Sequence, residues 1–388
     1  MKKIVLATLL SISFVGAAFS QDSCALRISL LTCSPGAELY STFGHTAIRV
    51  TDPSAGVDDV YNYGTFEFSP DFYYKFVKGR LLYALSVEDF RDFYFNYQAE
   101  SRSIVEQELS LNCLQKEQLY AALRTNALPQ NRFYRYDFLF DNCTTRAGKI
   151  IAQNSGGTVR YPTLFPVKKP SFRDLIYVYL DKGHQDWSKL GIDLLLGAKL
   201  DRAATNEETM FLPDNLLRGM DSAAADGRLL VGGKKPLLTM PSLATGSYLI
   251  TPFVFFSLLL VIVGGLSLTK KRWAQKTVGV FDFVFFFLLG AVGVLLLFMW
   301  FGTDHALCAN NYNLVWALPT HLVAAFFLHK KAVWVKKYFR GTFVLTVLLL
   351  LCWAFLPQHL NSALLPLVFL IALRSWILST QNHAKQGI

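Results

Sequence analysis

The sequence predicts two domains in series. An α+β extracytoplasmic domain over 21–247, a small antiparallel sheet with helices, precedes an all-α membrane domain of about five transmembrane helices over 248–388. Three observations predict this. Of 388 residues, 52% are hydrophobic, 17% are charged and 32 are Phe, a balance that suits lipid-facing helices better than a soluble core. The long apolar runs are confined to the region after Ser247. The first twenty residues have the form of a secretory leader. Intrinsic disorder is excluded by the abundance of apolar surface. Six cysteines in 388 residues exclude a small disulfide scaffold.

Each element follows in order. Met1–Ser20 carries Lys2 and Lys3, an apolar stretch from Ile4 to Val15 and small residues ending at Ser20, so 1–20 is expected to be a signal peptide. The mature domain then lies in an oxidising periplasm, where disulfides form. Alternating residues predict strands at Leu26–Leu30, His45–Val50 and Val60–Phe66, with a turn at Ser34-Pro35-Gly36 between the first two. Helices are expected at about 71–79, 88–99 and 115–126. Another starts after Asp141-Asn142, both favourable caps, and ends at Gly156-Gly157. The remainder to 245 mixes short helices with turns.

In the membrane half, apolar runs occur at about 248–268, 278–301, 313–328, 342–357 and 361–378. Two connections are basic, Lys270-Lys271-Arg272 with Lys276, and Lys330-Lys331 with Lys336, Lys337 and Arg340. The connections 302–312 and 357–361 contain no Lys or Arg. The positive-inside rule therefore puts the basic loops and the C-terminus in the cytoplasm and the other loops in the periplasm. Asp282 reads as an interfacial carboxylate near the inner end of the second span. The outer segment 304–313, with His305, Asn311 and Asn313, reads either as a solvated loop or as a site for a head group or acceptor.

The net charge of +10 does not indicate nucleic acid, because its distribution is uneven. Residues 248–388 hold eleven basic residues against two acids, whereas 21–247 hold 25 against 26. The surplus belongs to the membrane half, and no nucleic-acid partner is expected.

Zinc-helix, nucleophile-elbow and phosphate-loop motifs are absent from the sequence, and no metal or cofactor is expected. A cysteine and a histidine remain. Cys143 lies at a helix start, where amide donors and the helix dipole favour a thiolate. His45 opens a strand directly after Gly44. A strand-borne imidazole beside such a thiol is the arrangement that covalent acyl transfer needs. Either residue on its own also reads as an ordinary core residue, and pairing among Cys24, Cys33, Cys113 and Cys308 stays open.

Gly44-His45-Thr46-Ala47-Ile48-Arg49-Val50, followed later by Asn142-Cys143-Thr144-Thr145, resembles the circularly permuted papain-like fold of the group that includes lecithin retinol acyltransferase. A closer resemblance is to the Lnb-type bacterial lipoprotein N-acyltransferases. It is carried by Leu30–Gly36, Tyr40–His45, Tyr61–Phe66, Phe140–Thr145, Asn311-Tyr312-Asn313 and the multi-span C-terminal half. The resemblance implies an inner-membrane enzyme that moves an acyl chain from a phospholipid, through a Cys143 thioester, to the α-amino group of a diacylated lipoprotein. His45 is then the base and helix-start amides hold the oxyanion. Asn62 is the first choice and Tyr63 the second for orienting the imidazole, and His305, Asn311 and Asn313 are candidates for substrate binding. A membrane-anchored cysteine hydrolase would use the same pair, and a non-enzymatic scaffold would use Cys143 in a disulfide.

Overall fold

The computed structural model describes residues 24–66, 69–241, 250–330 and 332–380. The leader expected at 1–20 and the junction expected at 247/248 lie outside them. The first domain is built on β1 (Arg27–Cys33), β2 (His45–Asp52), β3 (Val57–Thr65), β4 (Leu82–Asp89), β5 (Ile104–Leu109), β6 (Phe133–Arg135) and β10 (Val231–Leu238). They form one seven-stranded antiparallel sheet in the order β10-β5-β1-β2-β3-β4-β6. Two-residue strands β7 (Val159–Arg160), β8 (Ala224–Ala225) and β9 (Arg228–Leu229) make a separate small sheet.

Side-chain alternation sends the two faces of the large sheet to different partners. Leu30, Ile48, Tyr61 and Tyr63 pack against Leu119 and Leu123 of α3 (Cys113–Ala127) and Ala147 and Ile151 of α4 (Cys143–Gln153). Leu31, Ala47 and Val60 pack against Phe93 and Tyr97 of α2 (Phe90–Ala99). A short helix α1 (Phe72–Lys78) precedes β4. A disulfide from Cys24 to Cys113 ties the chain just before β1 to the first residue of α3.

The sheet is larger than the three expected strands. Residues 82–89, partly expected as helix, form β4, and α2 begins only after Asp89, whose carboxylate caps it by accepting from Arg91 N. β10 reads Val-Gly-Gly-Lys-Lys-Pro-Leu-Leu, with no alternation to betray it. It is an edge strand, and Lys and Pro are the residues that protect such an edge from further pairing.

After α4 come α5 (Phe172–Lys182), α6 (Asp186–Leu195), α7 (Asn206–Thr209) and α8 (Pro213–Met220). The membrane half holds α9 (Pro252–Leu268), α10 (Arg272–Phe301), α11 (His321–Phe326), α12 (Val333–Leu351) and α13 (Leu365–Thr380). Arg272–Phe301 and Ser362–Thr380 are long and apolar enough to cross a membrane, and Pro252–Leu268 is apolar but shorter. Val261, Ile262, Val284, Leu288, Val344 and Leu348 face outward, as lipid-facing residues do.

The third apolar run, expected over 313–328, is not one helix. A single 3₁₀ turn at Tyr312–Val315 is followed by the six residues of α11. Pro319 lacks an amide donor, which interrupts the helix. The backbone at Ala317, Pro319 and Leu322 lies so close to Gly290 and Gly293 of α10 that neither glycine has room for a Cβ. Asp282 is also not a free interfacial carboxylate. It is buried, and both its oxygens accept from Arg374 of α13 at 2.7 Å. A charge at that depth requires such a partner.

The halves are joined at the end of α6. The Asp193 carboxylate accepts from Arg173 Nη1 at 2.5 Å, Tyr177 Oη at 2.7 Å and, from the membrane half, Asn361 Nδ2 at 2.7 Å. The last carbonyls of α6 have no partner within the helix. Asn313 Nδ2 donates to Asp193 O at 2.8 Å, Asn311 Nδ2 to Leu194 O at 2.7 Å, and Gln358 Nε2 to Leu196 O at 3.0 Å.

Removing one partner of a buried ion pair leaves an uncompensated charge, at a cost of about 3–5 kcal/mol. Asp193→Ala should therefore destabilise the protein by about that amount, read as a lowered unfolding midpoint in detergent. Arg173 also pairs with Asp201 at 2.8 Å, so Arg173→Leu should cost at least as much, by leaving two carboxylates unpaired. An unchanged midpoint in Asp193→Ala would remove the pair from the account of the joint.

Candidate active site

Asn142 sets the position of Cys143. Its side-chain oxygen accepts from Thr144 N at 2.9 Å and Thr145 N at 2.8 Å, which makes it the N-cap of α4. Its amide nitrogen donates to Phe138 O and Phe211 O at 2.8 and 2.9 Å, holding the cap itself in place. The thiol is thus the first side chain of a fixed helix. Thr144 Oγ1, 3.0 Å from Thr46 Oγ1, pins that helix start to β2.

The sheet opens to receive it. Pairing between β2 and β3 stops at Ile48 and Tyr61, although both strands continue. The freed Thr46 N–H donates to the Cys143 sulfur. Two glycines permit the approach. Gly44 has φ +79°, and a Cβ there would lie 2.7 Å from Cys33 O. Gly64 has φ +91°, and the point where its Cβ would sit is 3.5 Å from Cys143 Cβ and 4.0 Å from Tyr134 Oη.

His45 lies within hydrogen-bonding reach of the thiol and places Nε2 2.5 Å from Asn62 Oδ1. The Asn62 amide nitrogen donates to Glu88 Oε1 at 3.0 Å. A carboxylate only accepts, so Glu88 takes the NH₂ end and turns Oδ1 toward His45. His45 Nε2 then carries a proton and Nδ1 faces the sulfur. Cys143, His45, Asn62 and Glu88 form one connected chain.

The electrostatics follow from these contacts. Burial opposes ionisation of Cys143, but the His45 charge, the hydrogen bonds from His45 and Thr46, and the Thr144 hydroxyl outweigh it. The thiol pKa falls to about 7. For His45, burial favours the neutral ring, yet the Cys143 thiolate and Asn62 hold its pKa above the usual value. Each charge therefore favours the other. Cys33, opposite His45 on β1, is pushed up to about 12 by burial.

Among the described residues, two donors at the site have no partner. Asn142 already occupies the amides of Thr144 and Thr145, so among the helix-start amides expected to hold an oxyanion, that of Cys143 itself is left free. The Tyr134 hydroxyl is buried without a hydrogen-bond partner, and Arg146 stacks 3.5 Å from its ring centroid. Burial raises its pKa, so it stays a donor. Sequence reasoning missed Tyr134 and Glu88. Both lie on strands it did not anticipate, and only their alternation with neighbours could have pointed to them.

Other expected residues lie elsewhere. Tyr63 Oη accepts from Asn126 Nδ2 at 2.9 Å within the core, so it does not orient the imidazole. Asn311 and Asn313 are buried and spend their amides on α6 carbonyls, which takes them away from substrate. His305 is placed differently: Nε2 bonds Phe76 O at 3.0 Å, and the ring lines a cavity of about 330 Å³. Tyr136, whose ring comes within 3.7 Å of the same Gly64 position as the Cys143 Cβ, lines that cavity too and stacks on Tyr83. Cys143 is a free thiol, and the disulfide is Cys24–Cys113. Among the described residues, no three His, Cys, Asp or Glu side chains converge to hold a metal.

Comparison with known families gives two matches. Residues 19–169 match the Lnb N-terminal periplasmic domain and residues 244–386 match the Lnb transmembrane domain, described as having five transmembrane helices. No curated protein and no solved structure matches the chain.

The lowered thiol pKa has a direct readout. Below about pH 7 the Cys143 thiol is protonated and slow to alkylate, and its rate should rise with pH through that value. His45→Ala removes the favourable charge and leaves the burial. Its alkylation midpoint should move up beyond the ordinary thiol value of about 8.5. Iodoacetamide kinetics against pH measure both midpoints, and coincident profiles would break the link between the two residues.

Proposed function

The chain belongs to the Lnb family, an inner-membrane family with a periplasmic domain, and from that premise we propose that it is a lipoprotein N-acyltransferase. The observation that carries the reading is a thiolate–imidazole pair beside an apolar cavity on the side of the domain that meets the membrane half. In the first step the Cys143 thiolate attacks an ester carbonyl of a phospholipid. The carbonyl oxygen becomes an oxyanion between the Cys143 N–H and the Tyr134 hydroxyl. As the C–O bond breaks, His45 gives its Nδ1 proton to the departing lysolipid oxygen. An acyl thioester remains.

In the second step the α-amino group of a lipoprotein's N-terminal cysteine attacks the thioester. His45, now neutral, takes the amine's proton, the sulfur leaves as thiolate, and an amide is formed. Asn62 holds the ring for both transfers, and Glu88 holds Asn62.

The membrane half fits this chemistry for a reason of cost. Both substrates are anchored in lipid, and moving a buried acyl chain into water costs about 0.8 kcal/mol per methylene. A thiol fixed at the membrane surface avoids that transfer. The basic connections lie at the ends of the helices away from the periplasmic domain, which supports a cytoplasmic C-terminus.

The test is intact-mass analysis of a lipoprotein incubated with the purified protein in phospholipid vesicles. Wild type should add one amide-linked acyl chain and Cys143→Ala none. Without lipoprotein the acyl-enzyme should persist; rapid turnover to free fatty acid would instead identify a hydrolase. Tyr134→Phe should slow thioester formation by roughly 10²–10³-fold, the usual effect of losing one oxyanion donor. Its iodoacetamide reactivity should stay that of wild type, since the thiolate's own partners are untouched. Full acylation by Tyr134→Phe would leave the oxyanion to the Cys143 amide alone.

A further inference from the structure

The cavity beside Tyr136 is lined mostly by apolar side chains, with Asp137, Asp304 and His305 as its charged or polar members. Phe43, Leu81, Ile176, Ile192, Leu196 and Leu307 form its walls. At about 330 Å³ it has room for on the order of ten methylene-sized groups, taking about 30 Å³ for each. One lining residue, Tyr136, approaches the same Gly64 position as Cys143.

The rim is formed where the periplasmic domain meets the end of α10. There the loop 304–307 meets α1, with Asp304 N bonded to Lys78 O at 2.9 Å and His305 to Phe76. This contact sits immediately after the end of α10, where Trp300 and Phe301 stack on one another. Phe301 is 73% exposed, and on α1 Tyr73, Tyr74 and Phe76 are 74%, 63% and 51% exposed. Exposed aromatics at the end of a spanning helix mark the interfacial layer of a bilayer.

The same rim carries excess positive charge. Arg80 Nε is 3.0 Å and Arg135 Nη1 3.5 Å from Asp304 Oδ2. Lys78 Nζ donates to Gly302 O at 2.8 Å. The other carboxylate on the wall, Asp137, accepts from the amides of Leu139 and Phe140 through Oδ1. Three cations against two carboxylates leave one positive charge in surplus, enough to receive an anion.

We propose that this cavity binds the donor lipid, with the transferred acyl chain in the apolar interior and a phosphodiester on the Lys78–Arg80–Arg135 cluster at the rim. The proposal rests on the acyl-transfer reading and goes beyond it: the donor is selected as an anionic phosphodiester lipid, and the cavity holds the part of its acyl chain nearest the ester. An uncharged diacylglycerol with the same chains lacks the group that the rim recognises.

The experiment uses the full-length protein in vesicles of non-cleavable ether lipid doped with either a dipalmitoyl phospholipid or dipalmitoylglycerol, and reads the Cys143 thioester by intact mass. Wild type should load faster from the phospholipid. Arg80→Gln/Arg135→Gln should lose roughly tenfold of that rate, about what one hydrogen bond to a charged group contributes, and leave loading from diacylglycerol unchanged. Leu196→Trp and Leu307→Trp should each reduce loading from a palmitoyl nitrophenyl ester while a butyryl ester, which also reports that the site is folded, loads normally. Equal rates from the two lipids, or palmitoyl loading unaffected by both Trp variants, would overturn the assignment. If wild type fails to load even the butyryl ester, the acyl-enzyme reading itself falls, and the lipid site with it.

Discussion

The geometry of the whole molecule depends on one buried carboxylate. Asp193 sits at the end of α6 with Arg173 and Tyr177 from its own domain and Asn361 from the membrane half around it. A charge so deep is tolerable only when every lone pair is matched. The matching groups come from two domains, so satisfying the charge also fixes how the domains meet. The α6 carbonyls extend the same logic, since their donors are the side chains of Asn311, Asn313 and Gln358. The position of the thiol relative to the bilayer is inherited from this joint.

Within the site a second constraint operates. Burial alone would protonate Cys143, and burial alone would leave His45 neutral. Placed together they reverse each other's preference, because in a medium of low polarity an opposite charge at close range counts for more than it does in water. The arrangement requires an imidazole that cannot rotate away. Asn62 provides that, and Glu88 removes the remaining freedom by fixing which end of the Asn62 amide faces the ring.

What was legible in the sequence follows from which signals are local. The Asn142–Cys143 helix start and the strands at His45 and Tyr61 are written in caps and alternation, which need no knowledge of neighbours. The division into a periplasmic and a membrane half is written in composition. β10 was hidden because an edge strand is selected for lysine, glycine and proline, and the break in the third apolar run because its cause is the packing of α10 against Pro319. Asn311 and Asn313 misled for a related reason. Polar amides at a membrane face look the same in sequence whether they meet a ligand or a helix end. Only the position of α6, more than a hundred residues earlier in the chain, decides between them.

The cysteines of this protein also bear on how it survives its own compartment. The periplasm oxidises thiols, and Cys33 lies close enough to Cys143 to feel its charge. Disulfide exchange is carried by thiolates. With its pKa raised to about 12, Cys33 is ionised in about one molecule in 10⁵ near neutral pH, so it scarcely attacks an oxidised Cys143 or a mixed disulfide formed there. Cys24 and Cys113 are already consumed by each other. Within the periplasmic domain the reactive sulfur is therefore left without an efficient resolving thiol, and a reductant from outside that domain must restore it once oxidised.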